Sequence, residues 1–139
     1  MKAIWFSRHV PTPGQIEDAA RMGYVLTPTP EGAALGDTNL ADNGDVYAVV
    51  TALLSHCADK GAVAIFGVFA APILSQIART SEDIVARGQI QTPSGGEGDY
   101  PCFAAWNVTR SVEGGKPTFT HREWVGIGRL NQKSVRWLK

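Results

Sequence analysis

Ser7, Arg8 and His9 stand directly after the apolar run Ala3-Ile4-Trp5-Phe6 and just before the turn-forming stretch Val10 to Gly14. A hydroxyl, a guanidinium and an imidazole in one tripeptide suit an anion. The guanidinium forks onto phosphate oxygens, and the imidazole moves a proton near neutral pH. A buried strand that ends in such a cluster carries it to the carboxyl edge of a sheet, where open α/β folds hold their ligands. Alternate residues of a strand face opposite sides, so Ser7 and His9 share one side if the extended conformation runs through them. The plain alternative makes Arg8 a surface ion-pair partner and His9 a loop residue.

Other groups fall where the same edge is expected. Asp37-Thr38-Asn39 lies in a stretch read as a loop after the second strand, although Asp and Asn also serve simply as turn formers. Gly67-Val68-Phe69-Ala70-Ala71-Pro72 runs from a strand end into a helix start. Amides at such a helix start bind phosphate, which makes Gly67 and Phe69 ligand candidates, while tight packing explains them equally well. Asn107 and Thr109 are two apart on one predicted strand and so face one way, whereas His121 and Arg122 on the next strand face opposite ways. Trp106 and Trp124 offer stacking surfaces for a nucleobase, but aromatic residues in a hairpin more often serve the core.

The elements that must position these groups follow from pattern. The first strand spans about Lys2 to Phe6. Thr12 is placed to cap a helix near Gln15 to Met22, with Pro13 at its first position and Gln15 completing a capping box. Gly23 ends that helix, Tyr24-Val25-Leu26 makes a second strand, and Glu31 to Gly44, rich in Gly, Ala, Asn and Asp, reads as a loop. Asp45 caps the clearest helix, whose buried face is Val46, Val49, Val50, Leu53, Leu54 and Cys57, and Gly61 stops it. Ala62 to Val68 is apolar throughout, as a strand covered on both faces must be. Pro72 opens a further helix through Ala78. Gly88 to Pro101 reads as an exposed loop. Phe103 to Arg110 and Thr118 to Ile127 form a hairpin around Glu113-Gly114-Gly115-Lys116. The tail from Asn131 to Lys139 suits a short edge strand or a dimer contact.

Strand and helix alternate, so the fold expected is α/β, a Rossmann-like, mostly parallel sheet with flanking helices and a C-terminal antiparallel hairpin. The 139 residues fit one domain, and 44% hydrophobic content excludes a disordered chain. Thirteen basic residues balance thirteen acidic ones, so no overall field draws the chain to long duplex nucleic acid or to a membrane surface. Cys57 and Cys102 fit no zinc spacing and read as buried thiols in a reducing compartment. No run approaches the length of a membrane span or a secretory signal, and the expectation is a cytoplasmic protein without metal or cofactor.

Two resemblances meet at the first strand. Arg8-His9-Val10-Pro11-Thr12 resembles the Arg-His-Gly and following Thr that open the histidine phosphatases, with Thr120-His121 as a second histidine. That likeness implies His9 as phosphoryl acceptor and Arg8 as its clamp. Val10, however, replaces the glycine that lets backbone approach the phosphate, and the chain is short for that fold.

Phe6-Ser7-Arg8-His9, then Thr12 through Gln15, resembles the opening of the small stand-alone CRISPR-associated Rossmann-fold proteins, the CARF-like ring nucleases. In these a strand ends in Phe-Ser-His before a Thr and a Gln introduce the first helix. Here Arg8 is inserted between serine and histidine. A six-strand layout ending in a hairpin also suits that family.

This second resemblance implies a homodimer that surrounds a cyclic oligoadenylate, or a related phosphorylated nucleotide, with the carboxyl-edge loops of both subunits. It implies metal-independent cleavage by attack of the ribose 2′-hydroxyl on its neighbouring phosphate. Arg8 would be the charge clamp and His9 the proton carrier, with Ser7, Thr12 and Gln15 holding phosphate or ribose. Asp37, Thr38, Asn39, Gly67, Phe69, Asn107, Thr109 and His121 would line the remainder. A domain of the same shape that senses or sequesters the ligand without cutting it is the non-enzymatic alternative.

Overall fold

The computed structural model describes residues 1–40, 45–80 and 98–136, and for 37–40, 79–80 and 108–113 the backbone course alone. Its elements in chain order are β1 (Lys2–Phe6), α1 (Pro13–Arg21), β2 (Val25–Thr27), α2 (Pro30–Leu40), α3 (Val46–Lys60), β3 (Ala64–Gly67), α4 (Ala71–Thr80), β4 (Tyr100–Glu113), β5 (Lys116–Leu130) and α5 (Gln132–Arg136). They build one sheet of five strands in the order β2-β1-β3-β4-β5. The first four are parallel and β5 runs antiparallel to β4. This is the expected α/β architecture.

Strand alternation divides the core between the two faces. Ile4, Phe6, Ile65 and Cys102 point to the side covered by α3 and α4, with Leu35 of α2 and Val135 of α5 at its margin. Ala3, Trp5, Ala64, Phe66, Phe103 and Trp124 point to the other side, where Ala19 of α1 packs on them. That second face is largely aromatic. Phe66 stacks on Phe103 with ring centroids 4.6 Å apart and meets Trp124 edge-on at 5.0 Å. Such offset and edge contacts are the geometries aromatic quadrupoles favour.

The local signals act as read at several points. Thr12 Oγ1 accepts from Gln15 N–H (3.2 Å) and Gln15 Oε1 accepts from Thr12 N–H (2.9 Å), which closes the capping box at the start of α1. Asp45 accepts from Tyr47 N–H and caps α3, whose other end is Gly61 at φ +63°. Gly114 and Gly115 take φ +58° and +81° between β4 and β5. Positive φ at both central residues is the demand of a tight hairpin turn.

Three expectations change. The loop expected over Glu31 to Gly44 is, through Leu40, the helix α2. Thr29 caps it, with Oγ1 accepting from Gly32 N–H at 2.9 Å, and Pro30 follows the cap. Its glycines are there for closeness rather than for looseness. A Cβ on Gly32 would come within 2.5 Å of the Trp5 carbonyl oxygen, and one on Gly36 within 2.7 Å of Ser7 Cα. α2 thus rests on the backbone of β1 and of the segment that follows it.

The described part of the tail, through Arg136, is a helix and not a strand. Asn131 Oδ1 accepts from Lys133 N–H and Ser134 Oγ from Asn131 N–H, so a reciprocal cap starts α5, and among the described residues the sheet has five strands. The hairpin is longer than read, and β3 pairs with β4 only over Cys102–Ala104. Beyond Ala104 the two strands continue as an arm past the carboxyl edge, roughly 30 Å at ~3.3 Å per residue. Most of the loop expected over Gly88 to Pro101, residues 41–44 and the end of the tail at Trp137 to Lys139 lie outside the described residues.

Both cysteines are buried and unpaired with each other. Burial pushes the Cys57 thiol up from an ordinary 9.0 to about 12, and Cys102 is raised well above its ordinary value by burial first and by Cys57 and Asp99 next. The fold therefore favours the neutral thiols. Their contribution to stability is complete below pH 9 and is lost as pH climbs through the folded values. A disulfide reagent at pH 8 is expected to leave the native protein unmodified and to titrate both thiols once the chain is unfolded in denaturant. Fast reaction of the native protein would contradict the burial.

Candidate functional site

β1 and β3 end on one row, Phe6 opposite Gly67, which is in turn opposite Ala104 of β4. From β1 the chain turns to α1 on the aromatic face, and from β3 it turns to α4 on the opposite face. Two neighbouring strands whose connections leave in opposite directions open a crevice at their carboxyl ends, the switch point where α/β sheets hold ligands. Ser7 to Val10 form one lip and Val68 to Ala70 the other. The lips are locked together at their base. Val68 N–H donates to the Phe6 carbonyl at 3.1 Å, and a Cβ on Gly67 would lie 2.1 Å from that same oxygen.

The strand conformation stops at Phe6. Ser7 to His9 fold into a bend in which His9 N–H donates to Ser7 Oγ (3.2 Å) and Trp5 Nε1–H donates to the His9 carbonyl (2.6 Å). Ser7 is buried, and the alternation that would have set Ser7 and His9 on one side does not continue. Arg8 and His9 are exposed at the rim. The serine hydroxyl holds the turn that carries these two residues.

The remaining candidates divide. Thr12 and Gln15 meet at the first turn of α1, but the Thr12 hydroxyl and the Gln15 carbonyl oxygen are engaged in the capping box. Gly67 serves close packing against β1. Phe69 is buried with its ring 5.3 Å from that of Phe6, so the side chain belongs to the core and not to the crevice surface. Asp37, Thr38 and Asn39 belong to the end of α2 and not to a loop, and their side chains lie outside the described residues, as does that of Thr109.

The hairpin register answers the question that alternation alone left open. Trp106 faces Glu123, but Asn107 faces His121, so one extra residue, Arg122, is inserted into β5. A bulge of this kind re-aims the side chains beside it. In a regular strand His121 and Trp124, three apart, would face opposite sides. Here both meet α1. His121 Nε2 lies 3.1 Å from Asp18 Oδ2, Trp124 N–H donates to the same oxygen at 3.1 Å, and Trp124 Nε1–H donates to the Gln15 carbonyl at 3.0 Å. Arg122 instead lies over the Trp106 ring, 5.7 Å from its centre. Trp124 is core as expected, whereas Trp106 is 52% exposed on the arm.

Asp18 is the residue that sequence reasoning passes over. It sits mid-helix among Glu17, Ala19 and Ala20, where a carboxylate reads as a solvated face. Only the packing of α1 on a strand more than a hundred residues later gives it its partners. Its four-residue spacing from Gly14 is the one signal within the chain. An ideal Cβ on Gly14 would lie 4.0 Å from His121 Cβ, so the face that carries Gly14 and Asp18 is the face that meets β5.

Among the described residues no cluster of three or more His, Cys, Asp or Glu could hold a metal ion, and no helix is long and apolar enough to cross a membrane. Comparison of the chain with protein-family models, with curated proteins and with solved structures finds no match.

Proposed function

We propose that this protein binds a cyclic oligoadenylate, or a closely related phosphorylated nucleotide, in the β1/β3 crevice and cleaves it as a ring nuclease. The observation that carries the reading is the exposed Arg8-His9 pair just beyond the carboxyl end of β1, at the switch point of the sheet. The likeness of Phe6-Ser7-Arg8-His9 and of Thr12 to Gln15 to the CARF-like ring nucleases supports the ligand class. In this mechanism the 2′-hydroxyl attacks its own neighbouring phosphate, without metal. Arg8 clamps the phosphate and meets the charge that develops on it, His9 moves a proton, and Ser7 fixes the bend that aims them both. Aligning the attack and stabilising charge are positioning and electrostatic work, which fixed side chains at a rim supply.

Two copies of the chain would set two such crevices around a two-fold ligand, in a reducing cytoplasm that suits the unpaired thiols. The balanced net charge agrees with a small ligand held locally rather than a long nucleic acid. The test is incubation of pure protein with cyclic tri-, tetra- and hexa-adenylate, with and without chelator, followed by mass analysis. Linear products that persist with chelator support the nuclease. Binding without new products supports a sensing or sequestering domain.

His121 stands on the same carboxyl side as His9, and two histidines above one edge also suit a phosphomonoesterase. Release of phosphate from a monoester, with an acid-labile phosphohistidine at His9, would decide for that reading.

A further inference from the structure

His121 carries a contradiction that the fold does not resolve by itself. Its side chain is 5% exposed, one ring nitrogen meets Asp18, and the other, Nδ1, is buried without a hydrogen-bond partner. Asp18 Oδ2 accepts from the Trp124 N–H as well, so the carboxylate is the acceptor for both neighbours. The neutral imidazole accordingly holds its proton on Nε2 and keeps Nδ1 as a bare lone pair. Buried polar atoms are nearly always satisfied, and one that is not calls for an explanation in function or in a bound partner.

Position supplies the explanation. Phe6, Gly67 and Ala104 share the row at which the parallel strands end, and the Asn107–His121 pair lies three residues farther along β4. That is ~10 Å beyond the carboxyl edge at ~3.3 Å per residue. His121 also abuts the first turn of α1 through Gly14, and that helix is entered from the Ser7 to Thr12 lip. The bulge at Arg122 is what turns the ring to this side. A carboxylate that holds one imidazole nitrogen while the other is left as a lone pair is the arrangement of a general base and its orienting partner.

We propose that Asp18 and His121 form the proton-accepting pair of the crevice, with Nδ1 of His121 as the base and Asp18 as its positioning residue. This rests on the ring-nuclease reading above. The 2′-hydroxyl of a bound ring gives its proton to Nδ1, and its oxygen forms a bond to the adjacent phosphorus. The bond from phosphorus to the 5′-oxygen breaks, and that leaving oxygen takes a proton from the His9 imidazolium. The products are a 2′,3′-cyclic phosphate end and a free 5′-hydroxyl, so atoms and charge balance. The work that one histidine would otherwise do twice is divided between an exposed acid and a buried base.

The test combines rates and spectra on the full chain with the adenylate ring that it turns over. His121→Gln is expected to lower kcat at least ~100-fold, in line with loss of an acid–base group, with KM changed little. It is also expected to remove the acid limb of the pH–rate profile. Asp18→Asn, whose amide oxygen still accepts, is expected to lower kcat about tenfold and to displace that limb. Because a buried substitution can unfold a domain, the imidazole nitrogen resonances of His121 in the unaltered protein are followed as ring is added, and Nδ1 is expected to shift.

Turnover by His121→Gln with an unchanged pH profile would overturn the assignment and leave the ring-nuclease reading standing. So would an Nδ1 signal that exchanges with a bound water only and ignores the ring while the Arg8 and His9 amides respond. Absence of any response at Arg8 and His9 would overturn both.

Discussion

Arg8→Ala and His9→Ala are each expected to abolish measurable cleavage of the cyclic substrate while leaving the fold in place. A positioned acid or base contributes about 10²–10⁴ in rate, and a charge that stabilises the developing transition state about 10²–10³. Both side chains are exposed, so neither removal opens a cavity. The Trp5 Nε1–H bond to the His9 carbonyl is made to backbone and survives the His9 substitution. Circular dichroism should therefore match the unaltered protein, with any change in thermal midpoint small, whereas initial rates should fall to background. Arg8→Lys separates charge from shape. It keeps the cation but loses the planar fork, and partial activity identifies the guanidinium as a two-pronged phosphate clamp. Full activity in both alanine variants would remove the site.

Trp124→Ala is expected to be the most damaging single change to stability. The ring is buried, meets Trp5 at 5.8 Å and Phe66 at 5.0 Å, and holds the His121 ring at 5.1 Å. Its indole N–H is also spent on the Gln15 carbonyl inside α1. Loss of a large buried aromatic side chain costs ~3–5 kcal/mol, a large part of the margin of a small domain. The consequence reaches the site. α1 is the only helix among the described elements whose residues pack in the aromatic core, and the Trp124 and His121 side chains both tie it to β5. Denaturant titration should show the lower midpoint. Activity per folded molecule should fall as well, because Asp18 and His121 lose the contact that aligns them. A variant within ~1 kcal/mol of the unaltered protein would show that this contact is not what holds α1 to the hairpin.

The parts of the fold legible from residues alone were those governed by local rules. Thr12 and Gln15 form a capping box because hydroxyl and amide reach the backbone three residues apart in any helix that starts there. Gly61 and the Gly114-Gly115 pair have left-handed backbone conformations that other residues resist. The apolar face of α3 follows from its period, and the fully buried β3 from its unbroken apolar run. α2 was not legible, because its Gly32 and Gly36 answer to the backbone of β1 across the molecule, and the same letters describe a loop when that neighbour is not known.

The site divides along the same line. The place of Arg8 and His9 at the carboxyl edge was legible because a strand end is a local feature and chain order sets the edge on which it falls. The Phe69 ring could not be placed, because its position after β3 is local while its burial against Phe6 is not. His121 could not be oriented, since one inserted residue, Arg122, reverses the alternation. Asp18 could not be found at all, because its partners, His121 and Trp124, come from the opposite end of the chain.

Amide chemical-shift mapping shows whether the crevice between β1 and β3 receives an anionic nucleotide on Arg8 and His9. Cyclic tetra- or hexa-adenylate is titrated into labelled protein at low salt and every backbone N–H is followed. Saturable shifts are expected, concentrated at Ser7 to Thr12 and Val68 to Ala70, with His121 among the next affected. Shifts that instead gather at the cleft of about 330 Å³ on the other side of the molecule, lined by Tyr47, Thr51, Ser55 and Tyr100, would contradict binding in that crevice.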